Sequence, residues 1–85
     1  MNAPRIEAPP LPAGAWMVDL YSPSGARILS SPARDQNEAA ALFDARQRRV
    51  DLEGYVAQVQ HGADIVLRAA HVGGAWQLVS AEPAP

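Results

Sequence analysis

The segment GYVAQVQHGADIVLRAAHVGGAWQLV, from Gly54 to Val79, constrains the fold more than any other part of the chain. Tyr55, Ala57, Val59 and His61 alternate with Val56, Gln58 and Gln60. Ile65, Leu67, Ala69 and His71 alternate with Val66, Arg68, Ala70 and Val72. A period of two is the mark of strands with one face turned to a core. Glycines interrupt the alternation at Gly62 and at Gly73–Gly74, where tight turns need positive φ.

Register can be tested on the pattern, because a slip of one residue moves every side chain to the other face. A three-residue loop at 62–64 sets Val59 opposite Leu67, Ala57 opposite Ala69 and Tyr55 opposite His71. A two-residue loop would set Gln58 against Leu67 and Gln60 against Ile65, so the longer loop is expected. At Gly73–Gly74 a two-residue turn sets Trp76 opposite His71 and Leu78 opposite Ala69.

Upstream, AWMVDLY alternates Trp16, Val18 and Leu20 against Met17, Asp19 and Tyr21. SPSG then has Pro23 and Gly25 where a type I turn favours them, and ARILS returns with Ile28 inward. Between the two strand groups lies a helix signal. Asp35 is the N-cap, Glu38 completes a capping box, and Arg46, Arg48 and Arg49 complement the dipole at the C-terminal end. Its apolar stripe, Ala39, Leu42 and Phe43, continues through Arg46 and Val50 and is narrow. Pro32 is expected in the approach to the helix, and Gly54 where the chain leaves it.

The expected fold is therefore α+β: a five-stranded antiparallel sheet in the order ββαβββ, with one helix packed on one face. The expected core is Trp16, Val18, Leu20, Ile28, Leu42, Phe43, Tyr55, Val59, Ile65, Leu67, Trp76 and Leu78. Residues 15–80 form the single domain. Residues 1–14 read as a proline-rich N-terminal arm and 81–85 as a C-terminal tail, both disordered or extended. PPLP at Pro9–Pro12 has the outline of an aromatic-groove ligand, but a plain arm is the expected reading.

Composition narrows the chemistry. The chain has no cysteine, which removes thiol nucleophiles and thiolate metal ligands. Its basic residues are all arginine, so Schiff-base and Walker-type lysine chemistry is excluded. Absent lysine beside abundant Ala, Arg, Gly and Pro points to a GC-rich bacterial genome or a phage of one. His61 and His71 fall at opposite ends of neighbouring strands, roughly 20 Å apart at ~3.3 Å per residue, and cannot share a metal. His61 and Asp64 flank one turn and make an incomplete ligand set. His71, beside Tyr55 and Trp76, reads as a partly buried, hydrogen-bonded ring, and as the first candidate should it line a pocket. Asp44, Asp51, Glu53 and Asp64 form no evident pair. HVGGAW lacks the spaced glycines and following helix of a dinucleotide site. No catalytic residue, metal or cofactor is expected, and the chain is read as not an enzyme.

The sheet face away from the helix carries Met17, Tyr21, Leu29, Val56, Val66, Ala70, Val72 and Val79, relieved by Asp19, Arg27, Gln58, Arg68 and Gln77. So apolar a face is expected to meet a protein partner, the N-terminal arm or a second copy. The partner-binding set is Met17, Tyr21, Val66, Arg68 and Val72, with Arg48 and Arg49 for acidic groups. The net charge of −2 makes nucleic acid the weaker expectation, although the arginine-rich helix end provides for an accessory role of that kind. No apolar run reaches the roughly 20 residues of a membrane span, and no signal peptide opens the chain, so a cytoplasmic location is expected. These features fit a small non-enzymatic protein-binding or regulatory domain acting by surface occupancy. A phage- or mobile-element-encoded inhibitor of a host machine, anti-CRISPR-like in profile, is one such protein.

Overall fold

A computed structural model of the chain describes residues 14–79. The proline-rich arm and the C-terminal tail expected at the two ends lie outside the described residues, apart from Gly14. The elements are β1 (Trp16–Tyr21), β2 (Arg27–Ala33), α1 (Gln36–Arg49), β3 (Val56–His61), β4 (Asp64–Val72) and β5 (Ala75–Val79). All neighbours pair antiparallel in one sheet of order β2-β1-β3-β4-β5, so the fold is the expected α+β ββαβββ.

Local signals account for most boundaries. Asp35 caps α1: its carboxylate accepts from the Glu38 N–H at 2.9 Å. Glu38 reaches back one residue further than a capping box requires and accepts from the Arg34 N–H at 3.1 Å. In the SPSG turn, Gly25 N–H donates to the Ser22 carbonyl at 2.9 Å. Val72 pairs with Ala75 across Gly73–Gly74, as a two-residue turn requires.

Two bulges modify the expected pairings. In the first hairpin Leu20 faces Leu29 and Tyr21 faces Arg27, leaving Ile28 as the extra residue. Ile28 is therefore 48% exposed rather than in the core, and Leu29 packs against the core on the helix side. In the second hairpin Val59 faces Leu67 and Ala57 faces Ala69, the pairings expected of a three-residue loop. Nearer the turn, however, Gln60 faces Ile65 and His61 faces Asp64. The connection is a two-residue turn at Gly62–Ala63, and Val66 is the bulged residue that restores the apolar register. Ile65 consequently leaves the core face. Pro32 is also not in the helix approach: it lies within β2, an edge strand where a missing donor is tolerated.

The core is Val18, Leu20, Ala39, Phe43, Ala57, Val59 and Ala69, with Trp16, Leu29, Leu42, Tyr55 and Trp76 packed at its margin. Helix α1 crosses β2, β1 and β3, and β4 and β5 lie largely beyond it. A helix is about 10 Å wide, whereas five strands at ~4.8 Å spacing span roughly twice that. Leu67 and Leu78, expected in the core, are accordingly 37% and 71% exposed, although both are on the helix side. Arg46, buried against β2, donates to the Ser31 hydroxyl, so the apolar stripe of α1 ends in a polar anchor.

Gly54 makes the turn into β3 at φ +88°, and a Cβ there would stand 3.0 Å from two ring carbons of Pro23. Gly54→Ala should therefore destabilise the fold by about 1–3 kcal/mol, read as a lower urea midpoint with an unchanged slope.

Candidate functional site

Three side-chain assemblies stand out, one on each sheet face and one at an end of the sheet. The first is a groove on the helix side. Trp16 and His61 are cross-strand partners whose rings stack with centroids 3.8 Å apart and planes 10° from parallel. The first turns of α1 place Gln36, Ala39 and Ala40 on one wall, and the β3–β4 hairpin supplies Val59, Val66 and Leu67 on the other. The volume of this half-open groove is about 410 Å³. Small helix residues leave the space, and the bulge swings Val66 into the wall. The side chains in the lining that carry polar atoms are Gln36, His61 and Trp16 with its indole N–H.

The second assembly surrounds His71, which is 3% exposed. Its Nε2 lies 2.7 Å from Asp51 Oδ1, and its Nδ1 lies 3.2 Å from Glu53 Oε1. Glu53 also accepts from the N–H of Gly73 at 2.8 Å and of Gly74 at 3.3 Å. The indole N–H of Trp76 donates to the Val50 carbonyl at 2.8 Å, and the Trp76 and His71 rings meet edge to face. The α1–β3 connection is thereby clamped to the β4–β5 turn. Both imidazole nitrogens are committed to carboxylates, so the ring has no free nitrogen with which to act as a base on a substrate.

Charge complements the geometry. Asp51 on Nε2 raises the proton affinity of His71 above the ordinary imidazole range, against the opposing effect of burial, and Glu53 adds to the rise. The N–H groups of Gly73 and Gly74 hold the Glu53 carboxyl below its ordinary range, with a smaller contribution from His71. Sequence reasoning treated Asp51 and Glu53 as scattered acids. The missed signal was the Gly73–Gly74 turn, whose free N–H groups need acceptors.

The third assembly occupies the centre of the face away from the helix, which was expected to be an apolar patch. Asp19, Tyr21, Gln58 and Gln60 are each at most 4% exposed. The Tyr21 hydroxyl donates to Asp19 Oδ2 at 3.1 Å, and Arg68 donates through Nε and Nη2 to Gln58 Oε1 at 3.1 and 2.9 Å. Burial and the Asp19 charge push the Tyr21 phenol up to about 12, against weaker opposition from Arg27 and Arg68.

The expected partner-binding residues are thus dispersed. Tyr21 is sealed in the polar network, and Met17 and Arg68 are half-buried. Val72 is exposed beside the β4–β5 turn, and Val66 belongs to the groove on the helix side. Arg48 is exposed and pairs with Asp44 at 3.1 Å, and Arg49 is exposed next to it. His61 and His71 lie at opposite ends of the sheet, in separate assemblies. Among the described residues no group of three or more His, Asp or Glu is placed to hold a metal ion. None of the described helices is long and apolar enough to cross a membrane.

In comparisons with known proteins, no family model, no curated protein and no solved structure matches the chain. Function is therefore argued from these sites alone.

The clamp imposes a signed pH dependence. The His71 contribution is complete below its unfolded value of 6.5 and is lost as pH rises through the raised folded value. The Glu53 contribution is present above 4.5 and is lost as pH falls through its lowered folded value. Urea midpoints of the parent and His71→Gln should accordingly converge as the solution is made alkaline, with the largest gap in mildly acidic buffer. Tyr21→Phe leaves the Asp19 carboxylate buried without its hydroxyl donor, and should cost about 1–3 kcal/mol in the same assay.

Proposed function

We propose that the chain is a small cytoplasmic, non-enzymatic protein-binding domain that regulates or inhibits a partner by occupying its surface. The observation that carries this reading is the groove between α1 and the β3–β4 hairpin. Its volume of about 410 Å³ suits one or two bulky apolar side chains. Its walls are mainly apolar, and exposed Val66 and Leu67 extend them outward. A pocket that receives an aromatic or aliphatic anchor, ringed by weaker contacts, is how protein interfaces concentrate their binding energy.

Arg48 and Arg49, at the other end of the same helix, provide rim charges for an acidic partner. The small, acidic, chemistry-poor chain also fits a phage- or mobile-element-encoded inhibitor of the anti-CRISPR kind. A nucleic-acid role draws less support, because the net charge is −2.

The test is affinity capture from a host lysate followed by quantification of the bound protein. Ala40→Trp, which fills the groove, and Val66→Asp, which charges its wall, should each abolish capture of the same protein. Arg48→Ala with Arg49→Ala should weaken capture only at low salt. Undiminished capture by both groove variants would refute the reading. Salt-sensitive retention of nucleic acid, lost in the arginine variants, would replace it with the accessory role.

A further inference from the structure

The two edges of the sheet are protected differently. β2, RILSSPA, is guarded by the charge of Arg27 and by Pro32, and the Ile28 bulge distorts it. These are the usual devices that prevent edge-to-edge pairing. β5, AWQLV, has no charge, no proline, no glycine and no bulge. It is also the strand farthest from the helix, and Leu78 is 71% exposed on it.

The direction of the free backbone groups on β5 follows from the ladder. The His71 N–H donates to the Tyr55 carbonyl and the His71 carbonyl accepts from Gly54, so both groups point away from β5. His71 and Trp76 are therefore a non-hydrogen-bonded pair. By alternation, Trp76 and Leu78 direct their own N–H and C=O to the side on which β5 has no strand among the described residues, whereas Gln77 directs its groups to Ala70.

We propose that the occupant of this edge is a second copy of the chain, paired antiparallel through β5 about a two-fold axis at Gln77. In that register Trp76 faces the partner copy's Leu78, and Leu78 faces the partner copy's Trp76, as hydrogen-bonded pairs. Both pairs lie on the helix side, where an apolar cross-strand neighbour covers the surface that α1 leaves open. Ala75 faces Val79 on the other side. The strand is self-complementary in size and polarity, and it offers a seam without charge on a chain of net charge −2. A charged partner strand would gain nothing there. An isologous contact of this kind closes at two copies. Five residues of strand and two pairs of apolar side chains fall short of the roughly 800 Å² per partner of a tight complex, so the dimer is reversible. The groove stays open in each copy, and the inference stands independently of the proposed function.

The absence of cysteine permits a direct test. A non-hydrogen-bonded pair brings Cα atoms to about 4.5 Å, within disulfide range. Gln77→Cys should therefore crosslink to a covalent dimer under mild oxidation with copper phenanthroline, much faster than Asp44→Cys on the exposed helix face. Sedimentation equilibrium of the unmodified full chain should show the mass rising with concentration from monomer towards twice that value. Val66→Asp should leave that rise unchanged. Crosslinking no faster than in the helix variant, a mass that stays monomeric or passes beyond the dimer, or a dimer abolished by Val66→Asp would each overturn the proposal.

Discussion

A single helix of 14 residues has to cover a sheet of five strands, and most of the architecture follows from that mismatch. The helix settles over β2, β1 and β3, where Val18, Leu20, Ala57 and Val59 supply the floor of the core and Phe43 and Ala39 supply the roof. β4 and β5 are held by other means. Backbone ladders tie β4 to β3 and β5 to β4, and the clamp around His71 ties their turn to the connection that leaves the helix.

The two histidines show how position determines role. His61 ends β3 on the helix side and lies flat against Trp16, where it acts as an aromatic wall. His71 lies at the opposite end, almost fully buried, with an acid on each nitrogen. An ordinary imidazole so deeply buried would tend to lose its proton. Two carboxylates from one short connection oppose that tendency and raise the proton affinity of the ring.

Polarity is distributed against the simplest expectation for a sheet with one covering helix. The helix-free face has a buried polar centre in Asp19, Tyr21 and Gln58, with Arg68 half-buried on Gln58 and Val72 and Val79 exposed beyond it, whereas Leu67 and Leu78 are exposed on the helix side of β4 and β5. Exposed apolar surface on the helix side therefore gathers at the groove and along β5. Both lie where the helix runs out of width.

The amino-acid order alone determined the element sequence, the capped helix, the Gly73–Gly74 turn and the apolar register of β3 with β4, because periodicity and turn chemistry are local. It also separated the histidines, since strand length is a matter of counting. It did not reveal the bulges at Ile28 and Val66. A bulge shows only when two strands are laid side by side, and each one moved a hydrophobic residue to a place that alternation had assigned to another. Asp51 and Glu53 were illegible for a related reason: their meaning depends on a ring and two amides some 20 residues away. Which strands the helix would cover was likewise a tertiary decision. It was made by the width of one helix against five strands, a competition for area that no local pattern records.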